Sequence, residues 1–336
     1  MKRDYNDSYR GWPVAPKKQQ HPVRGSYLDP RAGRKYHHGI DVSVRDDQPA
    51  PGAPQGRSHR VFAIEGGRVW KVIKPGRDGL VRVAHFGYGH VDPTVQVGQD
   101  VSAGELIGWT VAGHWHVHLS EWIFPGGNRD KRIPVNPLDR DGKIAPYQDV
   151  APPVILEVRF STPASPAWRT LAGGTALFPL GDAALDPQTL KGLVDVRARI
   201  EDHLSVQGWF TLMPVLETAH HPARVHLTVT RLADGKVVIN RDVFSAVGRL
   251  SPQGVPLSSH YAPGTRQNLK AAVAVRLPAG QSGRGELWFR LFAKRRGPPY
   301  WDTTGFQNGP YRLTIDAWDL VGNHSAHAVE VVVANP

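Results

Sequence analysis

The stretch Gly113-His114-Trp115-His116-Val117-His118-Leu119 alternates histidine with other residues, and its second half predicts a β-strand. Successive side chains of a strand point to opposite faces, so His116 and His118 share a face and their Cα atoms lie about 6.6 Å apart. One of them can bind a metal ion while the other stands beside it in a cleft. His114 and His116 form a competing pair with the same spacing.

Two further histidine clusters lie upstream, Tyr36-His37-His38-Gly39-Ile40-Asp41 and Ala84-His85-Phe86-Gly87-Tyr88-Gly89-His90. In a fully extended strand His37 and Asp41 would lie about 13 Å apart. Zinc ligands, however, lie only about 2.0–2.2 Å from their ion. The chain must therefore bend between the two residues, and Gly39 is the residue that bends at least cost. His38 is an alternative to His37 as the ligand.

Two histidines and one aspartate would give zinc three protein ligands. The fourth tetrahedral position then stays open for water, which is the pattern of catalytic rather than structural sites. Bound zinc lowers the pKa of that water and polarises a carbonyl group. The remaining histidines, His90 and His116, can take the proton, stabilise the oxyanion or protonate the leaving amine. The sequence therefore predicts a hydrolytic metal site.

Composition limits the class of protein. The chain has 336 residues and no cysteine, which excludes disulfides, a thiol nucleophile and a cysteine-ligated zinc site. The net charge of +11 is spread over both halves. A spread charge disfavours nucleic acid as the partner and suits adhesion to an extended polyanion such as an anionic cell wall.

The first residues of the chain carry charges but no apolar segment, and no apolar run is long enough to span a membrane. We therefore expect either a cytosolic protein or one whose leader peptide is absent from this sequence.

Short apolar runs separated by Gly, Pro and Asp predict an all-β chain. We expect a polar N-terminal arm over residues 1–20, a first domain over 21–150 and a second domain over 154–336. Pro152-Pro153 marks the boundary, and so short a join favours a fixed arrangement of the two domains.

The second domain is predicted to be an antiparallel sandwich, because short strands recur with turns between them. Three segments are predicted to be loops: Asp46–Arg60, Thr162–Gln188 and Val243–Gly283. The predicted strands of the second domain are Val154–Phe160, Gly192–Ile200, Val225–Arg231, Gly285–Phe292, Tyr311–Trp318 and Ala328–Val333.

Taken together, the motifs resemble the M23 family of zinc metallopeptidases, the lysostaphin-like peptidoglycan endopeptidases. The resemblance covers about residues 20–145. The matching motifs are H-x-x-x-D at His37–Asp41, H-x-H at His116–His118, Tyr-x-His at Tyr88–His90, V-x-V-G-Q-x-V-x-x-G-x-x-I-G at Val95–Gly108, and His-Pro-Val-x-Gly at His21–Gly25.

The resemblance implies that His37, Asp41 and His118 bind Zn²⁺ and that His90 and His116 are the catalytic pair. It implies an antiparallel β-sheet domain with zinc-dependent endopeptidase activity on cross-links or stem peptides of bacterial peptidoglycan. It also implies a location in the cell envelope or outside the cell.

The second half is similar only to a generic immunoglobulin-like or fibronectin-like sandwich, chiefly through Gly309–Leu313 and Asp319–Asn323. It could bind an envelope protein partner, position the enzyme on wall polymer, or cover one edge of the catalytic sheet.

The sequence departs from the M23 pattern at Val111–Trp115, where a glycine-rich approach is usual, and at Asp92-Pro93-Thr94. These changes alter the groove walls rather than the ligands. A second hypothesis is a non-catalytic M23-like envelope protein that binds cell wall or a partner, but such relatives generally lose ligand residues and none is lost here. A third is a biotinyl- or lipoyl-type carrier, which needs an exposed lysine, and Val95–Gly108 contains none.

Overall fold

The computed structural model of the protein describes residues 10–31, 35–44, 50–74, 79–139, 142–171, 174–202, 219–247, 256–268, 283–293 and 298–336. Within these segments the chain is nearly all β, in agreement with the predicted class, and the one α-helix is the single turn α1, Leu257–His260. No helix in this part of the chain is long and apolar enough to cross a membrane.

The first half of the described chain consists of short strands and two 3₁₀ turns, Pro125–Gly127 and Arg129–Lys131. The strands are β1 Val23–Gly25, β2 Pro30–Arg31, β3 Lys35–Tyr36, β4 Ile40–Ser43, β5 Arg57–Phe62, β6 Gly67–Ile73, β7 Leu80–Val83, β8 Phe86–Gly89, β9 Val91–Pro93, β10 Asp100–Val101, β11 Leu106–Val111, β12 His116–Ile123 and β13 Ile133–Val135.

One large antiparallel sheet dominates this half. Its strands lie in the order β1-β4-β12-β8-β7-β6-β10, and β13 also pairs with β12. A smaller sheet has the order β5-β11-β9, and β2 pairs with β3. Because β4 and β12 are neighbours, residues that are far apart in sequence, around positions 41 and 118, lie side by side.

The alternation of residues on β12 determines which face of the sheet carries histidine. Val117 and Leu119 are fully buried in the core, as are Ile40 and Val42 on the adjacent β4. Side chains alternate across a strand, so the even-numbered positions of β12 face the opposite side. The predicted strand and its face are therefore confirmed, and the histidines of β12 stand outside the core.

The prediction of a hairpin at Val95–Gly108 is wrong, because the two strands of this unit do not pair with each other. Its first strand is β10, which pairs with β6, whereas β11 pairs with β5 and β9 in the smaller sheet. Gly98 and Gly104 do occupy turns, with φ angles of 91° and 81° that residues with a Cβ atom rarely adopt. The sequence located the turns correctly but not the partners of the strands.

Residues 10–20 do not form the predicted polar arm; residues 1–9 lie outside the described residues. Trp12 and Val14 are fully buried, Val14 forms a β-bridge with Val61, and Trp12 Nε1 donates a hydrogen bond of 2.8 Å to the Pro146 carbonyl oxygen. Two apolar side chains among charged neighbours are thus enough to attach this segment to the core. The predicted loop over Asp46–Arg60 also ends early, because β5 begins at Arg57.

The second half adds ten strands within the described segments and one 3₁₀ turn, Thr303–Gly305. One sheet has the order β14-β17-β20 with β21 also on β17, and another has the order β19-β18-β22-β23. The strands are β14 Val154–Ser161, β15 Ser165–Leu171, β16 Gly174–Leu180, β17 Leu193–Glu201, β18 Arg224–Arg231, β19 Val237–Ser245, β20 Trp288–Arg290, β21 Trp301–Asp302, β22 Gly309–Trp318 and β23 His324–Val333.

Two predicted loops of this half are corrected. Thr162–Gln188 contains the hairpin β15–β16, whose prolines and alanines hide the alternation on which strand prediction relies, although Ala176 and Leu177 are buried. Val243–Gly283 begins inside β19 and contains α1, while residues 248–255 and 269–282 lie outside the described residues. The immunoglobulin-like topology stays a prediction.

His21 lies in the core of the first half with only 1% of its surface exposed. Its ring nitrogens lie 3.3 Å from the Ser43 carbonyl oxygen and 3.2 Å from the Pro16 carbonyl oxygen. Burial lowers the pKa of His21 from 6.5 to about 4, although the two carbonyls act in the opposite direction.

We expect acid to destabilise the fold through His21. Between pH 6.5 and the folded pKa of about 4, the unfolded chain binds a proton that the folded chain does not. This contribution to stability is therefore complete above pH 6.5 and is lost as the pH falls toward 4. His21→Gln should remove about 2 kcal/mol of the stability difference between about pH 7 and about pH 5.

Urea unfolding of the wild type and His21→Gln at both pH values measures this difference. His327→Gln, at an exposed histidine, is the matched control. An identical pH dependence in the wild type and His21→Gln would contradict the prediction.

Candidate metal centre

Strand pairing brings the predicted ligands together. Asp41 on β4 lies directly opposite His118 on β12, and directly opposed residues of an antiparallel pair share a face. His37 precedes β4, and the chain bends at Gly39, as the sequence predicted. His37 and Asp41 are buried, whereas His118 is half-buried at the surface of the sheet.

Gly39 is needed for space rather than for an unusual φ angle. A Cβ atom at this position would lie 2.5 Å from the Leu119 carbonyl oxygen and 2.9 Å from the His118 ring. A Cβ atom at Gly25, which pairs with Asp41, would lie 2.2 Å from Arg31 Nη2. Both glycines let the groups around the site approach more closely than any larger residue would allow.

Three ligand-capable atoms converge at this point and could hold a metal ion, since all lie within 4.8 Å of one another. His37 Nε2 is 2.9 Å from His118 Nδ1 and 3.1 Å from Asp41 Oδ1, and the last two atoms are 3.0 Å apart. A tetrahedral ion with bonds of about 2.0–2.2 Å separates its ligand atoms by about 3.3–3.6 Å. Outward movements of a few tenths of an ångström therefore accommodate zinc.

The outer hydrogen bonds fix the lone pairs that point into the cluster. His37 Nδ1 lies 2.7 Å from the Ser26 carbonyl oxygen, which can only accept, so this nitrogen carries the proton. Arg31 Nη2, 2.9 Å from the same nitrogen, therefore donates to Asp41 Oδ2, at 2.6 Å, rather than to His37. His118 Nε2 lies 2.9 Å from Ser120 Oγ, which can accept its proton.

When His118 is the tautomer that donates to Ser120, both histidines and Asp41 direct lone pairs at one another across about 3 Å. Such an arrangement is repulsive unless a proton or a cation lies between the atoms. Partners on the outer nitrogens are also what orient metal-binding histidines in proteins. The donor set, the tautomers and the spacing thus all fit a small divalent cation.

The electrostatics favour a neutral histidine beside a charged carboxylate. Burial lowers the pKa of His37 to about 4, so the ring is neutral at neutral pH. Burial alone would raise the pKa of Asp41, but the neighbouring His37 and Arg31 outweigh it and hold that pKa well below its usual range. The centre can therefore offer a carboxylate anion from Asp41 and a neutral imidazole from His37.

Two more predicted residues lie beside this cluster. His116 Nε2 is 3.8 Å from Asp41 Oδ1, and the rings of His90 and His116 have centroids 4.7 Å apart. His116 Nδ1 donates to the His114 carbonyl oxygen, which leaves the Nε2 lone pair on the side of Asp41. Burial lowers the pKa of His116 to about 3.

The competing histidines separate clearly by position. His38 is exposed and takes no part in the cluster, and His85 Nδ1 instead contacts the buried Glu65 at 2.8 Å. His114, which the sequence offered only as part of a competing pair, stacks on His90 with ring centroids 4.3 Å apart and planes 13° apart. Its place in the histidine group could have been inferred from its two-residue spacing to His116.

The segment Ser26–Pro30, here called the ligand loop, supports His37 from outside and is attached to the second half of the chain. Its Ser26 hydroxyl lies 2.6 Å from His220 Nδ1, and Tyr261 donates a hydrogen bond of 3.0 Å to the Leu28 carbonyl oxygen. His221 Nε2 and Gln267 Nε2 contact the carbonyl oxygens of Tyr27 and Pro30 in the same loop.

Leu28, in the middle of the ligand loop, has a φ of 73°, a strained value for a branched residue. Such strain persists only where the surroundings determine the backbone. The second half of the chain supplies part of those surroundings. The sequence did not reveal this contact, because its residues are spread over more than two hundred positions without a shared motif.

No protein-family model matches the chain, and a search of curated proteins finds no match. Among solved structures the chain is similar to lysostaphin, an antimicrobial peptidase from Staphylococcus simulans, with 16% identity and a TM-score of 0.28 over 56% of this chain and 87% of that one. It is also similar to cbpa from L. salivarius REN, with 22% identity and a TM-score of 0.25 over 33% of this chain and 76% of that one. At TM-scores this low, neither similarity adds to what the ligand geometry supports.

Substitution of Gly39 tests whether the close approach at the centre is needed for metal binding. The added Cβ atom of Gly39→Ala would collide with the Leu119 carbonyl oxygen and displace the His118 ring. We expect zinc affinity to fall about tenfold to a hundredfold and stability to fall by about 1–3 kcal/mol. Competition with a chelator and thermal unfolding measure the two effects.

Gly305→Ala is the matched control, because a Cβ atom there meets nothing within 4 Å. Zinc affinity that is the same in Gly39→Ala and the wild type would show that the crowding around Gly39 does not shape the ligand set.

Proposed function

We propose that the protein is a zinc-dependent endopeptidase that hydrolyses peptide cross-links or stem peptides of bacterial peptidoglycan. The observation that carries this proposal is the convergence of three ligand-capable atoms, His37 Nε2, Asp41 Oδ1 and His118 Nδ1, within about 3 Å of one another. Beside them stands a third imidazole nitrogen, His116 Nε2, with its own lone pair on the side of Asp41.

Three protein ligands suit a catalytic rather than a structural zinc site, because one coordination position stays available. When bound, zinc would lower the pKa of a water molecule and polarise the scissile carbonyl group. His37, Asp41 and His118 would hold the ion. Arg31 keeps Asp41 charged and oriented through the 2.6 Å hydrogen bond to Oδ2.

His116 and His90 are proposed as the catalytic pair. Hydrolysis needs a group that takes a proton from the attacking water and a group that stabilises the oxyanion or gives a proton to the leaving amine. His116 suits the first task, because its Nε2 is unprotonated and lies on the side of the cluster. His90 lies against the His116 ring and suits the second.

Proton and bond changes balance with these two residues. The water oxygen bonds to the carbonyl carbon as its proton passes to His116 Nε2. The carbon–nitrogen bond then breaks, and the amine nitrogen receives a proton from the histidine pair. The low pKa that burial gives His116 keeps it unprotonated before the reaction.

The peptidoglycan substrate and the envelope location rest on the M23 resemblance of residues 20–145, with the net charge of +11 as a second support. A basic protein is attracted to anionic wall polymers. We also propose that residues 21–150 form the catalytic domain and that residues 154–336 form a second domain. The contacts from Tyr261 and His220 to the ligand loop support a role for that domain in holding the metal centre in shape.

The proposal predicts different defects for a ligand and for a catalytic residue. His118→Ala should lose zinc and activity together, whereas His90→Ala should keep zinc and lose hydrolysis by about a hundredfold or more. Zinc content after dialysis and the release of peptides from purified sacculi measure the two properties. His327→Ala, at an exposed histidine far along the chain, should change neither.

Unchanged hydrolysis in both His118→Ala and His90→Ala would overturn the proposal. A wild-type protein that retains zinc and binds sacculi but never releases peptides would instead support the alternative, a non-catalytic envelope protein that binds cell wall or a partner.

A further inference from the structure

The face of the large sheet that carries the predicted ligands continues past them onto β8 and β7. His118 lies opposite Gly89 and Ser120 lies opposite Gly87 in the pairing of β12 with β8. A Cβ atom at Gly89 would touch His118, and one at Gly87 would meet the Trp122 ring at 2.4 Å. The two glycines thus allow the side chains of His118 and Trp122 to lie directly against β8.

Arg82 lies further along this face, on β7. It lies opposite Gly87 in the pairing of β7 with β8, so it shares the face of the glycines and of His118. Its guanidinium carbon lies 4.8 Å from the Trp122 ring centroid and 5.0 Å from that of Trp70. The two rings meet edge to face at 6.4 Å, and the Trp70 indole is fixed by a 3.0 Å hydrogen bond to the Ala84 carbonyl oxygen.

The charge of Arg82 has no anionic counterpart within the described residues. Its Nε is buried without a hydrogen-bond partner in that part of the chain, and no ion pair forms there. The other charges near it are also positive: Arg132 acts on it electrostatically, and Arg129 lies over the Trp70 ring at 5.4 Å. Positive charges gathered on one part of the surface attract an anion, which points to an anion that a ligand supplies.

The guanidinium group of Arg82 favours a carboxylate. A guanidinium that packs against aromatic rings keeps its planar edge for bidentate hydrogen bonds, which match a carboxylate group. The distance from His118 to Arg82 suits a peptide. Arg82 lies two residues along β12 and two strands away from His118, so their Cα atoms are about 12 Å apart. An extended peptide covers that distance in about four residues.

We propose that Arg82, held between Trp70 and Trp122, is a subsite for a carboxylate of the substrate peptide, about four residues from the bond that is cleaved. This inference rests on the proposed peptidase function, because it places the substrate peptide along this face of the large sheet. It identifies a specificity residue outside the metal centre and names a peptide with a free carboxylate as the preferred substrate class.

Binding of matched peptides tests the subsite without relying on catalysis. The probes are the stem peptide N-acetyl-L-Ala-γ-D-Glu-L-Lys-D-Ala and the same peptide with every carboxylate converted to its amide. Affinity is measured by calorimetry on the full chain after removal of metal with a chelator. We expect the wild type to prefer the acid at least tenfold, and Arg82→Gln to lose that preference.

Arg82→Lys should keep part of the preference, since lysine retains the positive charge but cannot form the bidentate hydrogen bonds of a guanidinium group. Arg60→Gln is the matched control, because Arg60 also packs over an indole, that of Trp109 at 5.4 Å, but on the smaller sheet. It should keep the full preference. Thermal unfolding of each variant checks that the fold is retained.

The two proposals fail in different ways. Equal affinity for acid and amide, binding of neither at millimolar concentration, or an undiminished preference in Arg82→Gln would overturn the subsite, even if zinc-loaded protein hydrolyses sacculi. Competition by glycerol phosphate as strong as that by the acid peptide would also overturn it in favour of a phosphate polymer. An Arg82-dependent preference without any hydrolysis would support the subsite and overturn the peptidase function.

Discussion

The pairing of β4 with β12 is the constraint on which the site depends. Its register sets Asp41 opposite His118, and a slip of one residue would turn the two side chains to opposite faces. The buried Ile40, Val42, Val117 and Leu119 oppose a one-residue slip, because it would expose them to solvent. Core packing on one face of the sheet thereby fixes the ligand geometry on the other, and Gly39 and Gly25 remove the side chains that would prevent the close approach.

The same register brings three ligand-capable atoms so close together that a cation between them would be stabilised. The outer hydrogen bond from His37 Nδ1 to Ser26 leaves its Nε2 lone pair facing His118 Nδ1 and Asp41 Oδ1 at about 3 Å. When His118 donates through Nε2 to Ser120, all three atoms are acceptors, and at this separation they repel one another unless a positive charge lies between them. The ligand loop that fixes the tautomer of His37 is itself bound by Tyr261 and His220 from the second half of the chain. Residues of both halves therefore position the centre.

The sequence predicted the convergence of His37, Asp41 and His118 better than it predicted the pairing of the surrounding strands. Alternation on β12 and the spacing of His37 to Asp41 are local patterns. The structure has the predicted strand at β12 and brings His37 and Asp41 together. The unit Val95–Gly108 failed as a hairpin because its glycines report turns but not which strands pair. The buried Trp12 and the hairpin β15–β16 were missed because their local composition is polar or interrupted by proline, and burial by distant residues decided their structure. Contacts between distant residues, such as Tyr261 with Leu28, produce no pattern that a single sequence could reveal.

Anomalous scattering tests the central claim most directly. Crystals grown with zinc and measured on both sides of the zinc absorption edge would locate every bound ion without assumptions about activity. The account predicts one dominant anomalous peak within bonding distance of His37 Nε2, Asp41 Oδ1 and His118 Nδ1. The absence of a peak there, or a dominant peak between the stacked rings of His90 and His114, would contradict it.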